Sequence, residues 1–330
     1  MKKRALKRMM MMSMMVAVIA VLAVGCGSKN NTNTASTEGT TGEASKEVVT
    51  LSLGLLPSID AIPFVIAHEQ GFDKKHGVNL DIQTFKSAKD RDVAFQAGKL
   101  EGISADLVAI SIYNEAGLDV KITSTTFGEF DLLTGNDAIQ EVKDLKGKTV
   151  ILSKNTSTQY TVAMMLKQAG LTEDDITVTE VPQIPTRLEL LKNNKADAAI
   201  LPEPFVTMGK ASGLRVLSST HTAGVNPFVL AFPQTAIDAK ADAIRSMYAA
   251  YDEAVAYMKS HDQSEYIDLV IKEVGYPETL KDEIKVPDYI PANQVDVKEV
   301  EAAFAWAREK GLLSKNISPE DVISDVQFKK

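Results

Sequence analysis

The residues able to handle a small molecule stand in short polar turns, each following an apolar run. Ser58 and Asp60 lie in the first such turn, Ser87 in the second, and Ser104 and Asp106 in the third. Asn155, Thr156, Ser157 and Thr158 form a fourth cluster, and Arg187 and Glu203 follow in two more. Hydroxyls, amides and free backbone N–H groups orient a polar ligand without breaking a bond in it. Arg187 offers a planar fork that could grip a carboxylate, sulfonate or phosphate; its other reading is a surface charge on a helix. Glu203 could take a ligand amine or close a hydrogen bond near a hinge, and Asp106 could do no more than cap its helix. Phe127, Phe130, Tyr160 and Phe205 could stack on a flat ligand, although aromatics also serve as core. Asp60, Asp106 and Glu203 would repel an inorganic anion. The expected ligand is therefore a small organic molecule rather than nitrate or sulfate.

Covalent or metal chemistry has little to work with. No Gly-Xaa-Ser-Xaa-Gly run and no Cys/His arrangement offers a nucleophile. His68, His76, His221 and His261 are scattered without metal-ligand spacing, and the body of the chain has no cysteine. No catalytic residue, metal or cofactor is expected.

The elements that must hold these turns alternate between strand and helix. Thr149 to Leu152 is an apolar run with β-branched residues, which suits a buried strand. The Ser153–Thr158 turn follows with residues that cap helix N-termini. Val162, Met165, Leu166 and Ala169 then recur at helical spacing, and Gly170 can end the helix. A helix N-terminus at the C-terminal end of a strand presents free N–H groups and a partial positive charge, and ligands of open α/β sheets gather there. A capped turn without a ligand would read the same way, but similar turns recur. Strands are predicted over 48–55, 78–85, 120–125, 176–180, 196–201 and 229–232, with shorter segments at Ile103 and Arg215. Helices are predicted between them, and 241–330 is predicted mostly helical. Strand–helix alternation of this kind signals an α/β fold with a largely parallel sheet.

The N-terminus addresses the chain to the outside. Lys2, Lys3, Arg4, Lys7 and Arg8 precede an apolar stretch from Met9 to Val24, the pattern of a secretory signal. It ends in Ala23-Val24-Gly25-Cys26, which resembles the bacterial lipoprotein signal-peptidase box. Cys26 is the single cysteine, so an intramolecular disulfide is ruled out, and its expected role is thioether attachment of diacylglycerol. Residues 27–46, rich in Ser, Thr, Asn, Gly and Glu, cannot bury a core and read as a flexible tether. The formal charge of −8 becomes −13 once the five basic residues of the signal are removed. An acidic body argues against nucleic acid and against charge-driven binding to anionic lipid.

A series of short motifs then resembles a known family: Ala67-His68-Glu69-Gln70-Gly71-Phe72, Ala97-Gly98-Lys99-Leu100-Glu101-Gly102, Asp144-Leu145-Lys146-Gly147-Lys148, Leu166-Lys167-Gln168-Ala169-Gly170-Leu171, Ala196-Asp197-Ala198-Ala199 and Pro202-Glu203-Pro204. In order and spacing they resemble the solute-binding lipoproteins of nitrate/sulfonate/taurine-type ABC importers, whose fold is shared with thiamine-pyrimidine precursor proteins. The resemblance implies an α/β, two-lobed periplasmic-binding-protein fold of type II, two parallel-rich sheets joined by a two-strand hinge. It implies capture of a sulfonate, a pyrimidine-like molecule or a related solute in the interdomain cleft, and delivery to an ABC permease and its ATPase. The expected organisation is a signal peptide over 1–25, lipidated Cys26 and tether over 26–46, a discontinuous first lobe over 47–126 plus 224–330, and a second lobe over 127–223. The expected protein is a monomer, lipid-anchored on the extracytoplasmic face of the cell membrane. Two alternatives stay open: an enzyme of the pyrimidine-precursor type on the same fold, and a ligand-sensing surface lipoprotein without transport.

Overall fold

The computed structural model describes residues 48–329. The signal sequence, Cys26 and the tether lie outside the described residues. Among the described residues no helix is long and apolar enough to cross a membrane.

Two five-stranded sheets organise the chain. The first has the order β2-β1-β3-β10-β4, built from β1 (Val49–Leu55), β2 (Val78–Thr84), β3 (Gly102–Asp106), β4 (Val120–Thr125) and β10 (Phe228–Pro233). The second has the order β7-β6-β8-β5-β9, from β5 (Phe130–Thr134), β6 (Thr149–Leu152), β7 (Thr177–Glu180), β8 (Ala198–Pro202) and β9 (Arg215–Ser219). The chain passes from the first sheet to the second between β4 and β5 and returns between β9 and β10.

Both sheets are mixed rather than all parallel. β10 runs antiparallel to β3 and β4, and β5 runs antiparallel to β8 and β9. Each of these two strands enters its sheet straight from a crossing, with no helix before it. A parallel neighbour would need a crossover long enough to reverse the chain.

The helices cover both faces. α1 (Ile62–Glu69), α2 (Phe72–Lys75), α3 (Ala88–Gln96) and α4 (Leu107–Glu115) follow strands of the first sheet, while α5 (Ser157–Gln168), α6 (Ile184–Lys192) and α7 (Phe205–Ala211) follow strands of the second. The period-2 rule divides each strand's side chains between two cores. In β10, Leu230 and Phe232 join the cluster under α1 and α8 (Gln234–Ser260), while Val229 and Ala231 join the cluster under α4. β8 does the same, sending Ala198 and Ile200 one way and Ala199 and Leu201 the other.

The tail is less helical than the sequence predicts. α8 buries the stripe of Met247, Ala250, Tyr251, Ala254, Val255 and Met258. After it come the single-turn helix α9 (Ile267–Val270), the long α10 (Val297–Glu309) and the short α11 (Pro319–Val322). Residues 284–296 have no regular element. Pro287 and Pro291 remove backbone donors there. The segment still anchors itself: the Tyr289 hydroxyl donates to the Ile59 carbonyl at 2.6 Å, and Asn293 accepts at its carbonyl from the Ser124 hydroxyl at 2.9 Å.

Gly102 sets how closely β3 and β10 can pack. A Cβ there would stand 2.4 Å from the Phe232 ring and 2.8 Å from Leu53 Cδ2. Gly102→Ala is expected to destabilise the fold by about 1–3 kcal/mol through overpacking. Urea denaturation checks it: the midpoint falls with an unchanged slope.

Candidate functional site

A cavity of about 690 Å³, part of it open to solvent, lies between the two sheets at the turns that follow their strands. Ser58, Asp60, Ser104 and Asp106 line it from the first sheet, and Thr156, Ser157, Thr158 and Arg187 from the second. These eight residues, drawn from separate turns of the sequence, share one wall-to-wall space.

On the first side a carboxylate ties the turns together. Ser58 Oγ donates to Asp60 Oδ1, and Ser104 Oγ donates to Asp60 Oδ2 at 2.7 Å. Asp60 is 5% exposed, and the carbonyl just before it is held by Tyr289. Asp106 ends β3 and caps α4, its Oδ1 accepting from the Ala109 N–H at 2.9 Å. The cap reading is thus realised, and the same carboxylate still faces the cavity. Burial raises the Asp106 pKa, opposed by the Ala109 N–H, by the Arg91 charge and by the Ser157 hydroxyl across the cleft.

Arg91 is a lining residue that sequence reasoning missed. It sits four residues after the Ser87 cap and shares the buried face of α3 with Phe95, whereas the apolar Val93 is exposed. Arg91 donates from Nη1 to the Ser104 carbonyl and from Nε and Nη2 to Asp92 at 2.9 and 2.7 Å. Burial works against its charge, yet Asp92, Tyr113 and Asp106 raise its pKa overall. The i, i+4 spacing to Phe95 was the available signal; charge suggested surface instead.

On the second side the helix begins where the motif predicts. Thr156 caps α5, accepting from the Thr158 N–H at 3.3 Å. The Thr156 and Thr158 hydroxyls both donate to the Ser153 carbonyl, at 2.9 and 3.1 Å. Asn155 adopts a left-handed φ of 58°, and its backbone N–H is taken by Gln159 Oε1.

Arg187 lies in the first turns of α6 rather than in the turn before it, and at 2% exposure it is no surface charge. Its Nε donates to Val181 O at 2.7 Å, its Nη1 to Ile200 O at 3.2 Å, and its Nη2 to Ser153 Oγ at 2.7 Å and Pro182 O at 3.4 Å. The guanidinium therefore ties the residues that follow β6 and β7 to the middle of β8. Among the described residues it has no ion-pair partner, and burial lowers its pKa to about 10. A buried cation without a counter-charge is costly, and an anion entering the cavity would relieve it.

Of the other candidates, Ser87, Phe127, Tyr160 and Glu203 are not among the residues that line the cavity. Ser87 is buried and caps α3, exchanging bonds with Asp90. The Phe127 ring packs edge-on against Tyr289 at 5.7 Å and is 39% exposed on a different groove. Tyr160 is buried against Trp306 of α10, and Phe130 does line the cavity, its ring tilted against that of Phe228 at 4.7 Å. Glu203 accepts from the Thr207 N–H at 3.0 Å and hydroxyl at 2.9 Å. Burial raises its pKa against those bonds.

The two sides touch around the cavity. Gln183 Nε2 donates to Asp90 Oδ2 at 3.4 Å, Lys310 of α10 pairs with Glu173, and Tyr160 meets Trp306 at 5.7 Å. Glu129, in the crossing segment just before β5, adds a carboxylate to the lining.

The fold is that of the periplasmic binding proteins. The alkanesulfonate-binding protein SsuA from Xanthomonas axonopodis pv. citri, solved bound to MOPS, superposes with a TM-score of 0.72 at 16% identity, covering 84% of this chain and 99% of that one. The same fold also carries the desulfurization enzyme DSZB, with a TM-score of 0.61 at 13% identity over 84% of this chain and 96% of the enzyme. The chain belongs to the NMT1/THI5-like family, whose model matches residues 58–265. A Bacillus subtilis (strain 168) protein, provisionally assigned as aliphatic sulfonates-binding, is 24% identical over 299 residues, 86% of this chain and 89% of that protein. A Brachyspira hyodysenteriae protein, provisionally assigned as an ABC transporter periplasmic binding protein, is 22% identical over 202 residues, 55% of this chain. That match spans little more than half of the Brachyspira protein, 57% of its length.

Asp131 of β5, next to this site, carries the site's clearest pH signature. Burial, then the neighbouring Glu129 and Glu203 charges, push its pKa up to about 7, with Lys210 opposing. Its Oδ1 is buried without a hydrogen-bond partner. The folded carboxyl keeps its proton above the ordinary Asp value of about 3.9, so stability falls as pH rises from about 4 to 7. Asp131→Asn is expected to raise the melting temperature at pH 8, with the gain vanishing near pH 4. Equal gains at both pH values would contradict this assignment.

Proposed function

We propose that this chain is the extracytoplasmic solute-binding component of an ABC importer, capturing a small organic molecule between its two lobes and handing it to a permease. The observation that supports it best is the lining of the cavity. Polar turns from both sheets converge there, and their charged groups are held by other protein groups. Arg187 is bonded to three carbonyls and a hydroxyl, and Asp60 to two hydroxyls. Groups fixed in this way are pre-organised to bind and orient a solute.

Two further points support capture over catalysis. The lining residues include no imidazole to act as a general base for the serines. The curated relatives reported above are described as binding proteins. We read the two crossings as the hinge, so that closure follows from the solute's tighter binding to the closed form. In this reading Cys26 carries the lipid anchor and the chain works as a monomer at the outer face of the membrane.

Thermal melting of the chain across a solute panel tests this. A true solute at about 100 times its Kd should raise the melting temperature by roughly 5 °C or more. It should also be recovered unchanged after the protein is denatured. Ser157→Asp, which sets a second carboxylate facing Asp106, is expected to abolish the shift. Chemical conversion of the solute would instead favour the enzyme reading, and a solute that shifts wild type and variant equally would remove the cleft from the account.

A further inference from the structure

A second groove, of about 850 Å³ and open to solvent along part of its length, runs along the two crossings between the sheets. Thr126, Phe127 and Glu129 line it from the first crossing, Thr220 and His221 from the second, and Glu299 from α10. The two crossings are tied to each other here. The Thr126 N–H donates to the Phe228 carbonyl at 3.0 Å, the Phe130 N–H to the Thr220 hydroxyl at 3.1 Å, and Asn226 Nδ2 to Thr125 Oγ1 at 2.9 Å. Of the groove's lining, Gly128 and Glu129 also line the cleft; Phe127 and Glu299 do not.

Three observations give this groove its chemistry. Its lining holds the carboxylates of Glu129 and Glu299 and no lysine or arginine. Among the described residues neither carboxylate forms an ion pair. Burial raises the Glu299 pKa, opposed by the Asn226 N–H and reinforced by Asp296, so a cation beside it would be welcome. His221 is exposed, and water and salt screen any charge it carries. Second, Thr126 is 5% exposed, and its hydroxyl has no hydrogen-bond partner among the described residues. A buried polar group left unpaired is costly, and a donor seated in the groove would satisfy it. Third, the Phe127 ring is 39% exposed on this groove, and an aromatic face attracts a cation.

We propose that this groove is a second ligand site, separate from the cleft, that takes a small organic cation bearing a protonated amine or a guanidinium. Glu129 and Glu299 supply the counter-charge, the Phe127 ring supplies an apolar face, and the Thr126 hydroxyl accepts an N–H of the cation. An anion would meet two carboxylates and no fixed cation. A neutral molecule would displace water from both carboxylates without compensating their charge. A cation seated here touches both crossings and α10, and so braces the segments that join the two lobes.

Titration of the isotope-labelled chain, followed by its backbone amide resonances, tests the proposal with two matched triplets. One is benzylammonium, benzyl alcohol and benzoate; the other is butylguanidinium, butanol and butyrate. In at least one triplet the cation is expected to bind about tenfold or more tightly than its neutral and anionic partners. The resonance shifts are expected to centre on the segments 126–129 and 220–226. Glu299→Gln is expected to weaken the cation by about threefold or more, with circular dichroism reporting that the variant is folded. Phe127→Leu, which keeps an apolar group and loses the ring face, gives a second reading if Glu299→Gln does not fold. A failure of both cations to saturate by about 10 mM would overturn the assignment. Binding of a neutral or anionic partner as tight as that of its cation would do the same, as would a folded Glu299→Gln or Phe127→Leu variant with unchanged affinity. Shifts centred on Ser104–Asp106 and Thr156–Thr158 would place the cation in the cleft and overturn it too. The first three of these results would leave solute capture in the cleft in place, because Phe127 and Glu299 do not line it.

Discussion

The Arg187 guanidinium is the constraint on which the second lobe depends. A cation buried to this degree must spend its N–H groups on protein acceptors, because water is not there to take them. It does so on the carbonyls of Val181, Pro182 and Ile200 and on the Ser153 hydroxyl. Those acceptors sit just past the ends of β6 and β7 and in the middle of β8, so one side chain fixes the relative heights of three neighbouring strands. The turn that starts α5 is built on the same place, since Ser153 also supplies the carbonyl for Thr156 and Thr158. The wall of the cavity is in this sense a consequence of burying one charge.

The first lobe uses a carboxylate for the corresponding task. Asp60 gathers the hydroxyls of Ser58 and Ser104, which come from turns after β1 and within β3. Support comes from far along the chain: Tyr289, in the irregular part of the tail, holds the carbonyl of Ile59. The tail therefore does more than cover the sheet. It sets the position of a turn that lines the cavity, and its loss of helix at Pro287 and Pro291 is what lets Tyr289 reach it.

Between the lobes the contacts are mixed in kind. The aromatic pairs Tyr160–Trp306 and Phe130–Phe228, one exposed amide–carboxylate bond and the Lys310–Glu173 ion pair are among the contacts that bring the two sides together. Surface pairs of this type contribute little each, on the order of 0–1 kcal/mol. The carboxylates of Glu129, Asp131 and Glu203 add mutual repulsion on the side of the crossing strand, which burial makes stronger.

The amino-acid sequence by itself determined the local units. β6 spans Thr149–Leu152 and α5 begins right after the Thr156 cap, as their apolar spacing and capping residues require. β4 runs from Val120 to Thr125, and Gly71, Gly98 and Gly170 take the left-handed φ with which the preceding helices end. These features are set by neighbours in the chain, through dihedral preferences and periodicity. Only the tertiary structure decided which polar turns share a cavity and which charges lose their water. Arg187 read more readily as a surface charge than as a grip, and Arg91 did not read as a site residue at all. Nothing in their local sequence shows that each would be surrounded on every side. Ser87, Phe127 and Glu203 show the converse, since a turn of the right composition can face its own helix or another groove. The direction of β5 and β10 was equally out of reach, because strand direction is set by how the chain crosses between two sheets and not by the residues of the strand. Burial and pairing over more than a hundred residues of separation are properties of the packed molecule, and they turn a row of ordinary turns into the lining of one cavity.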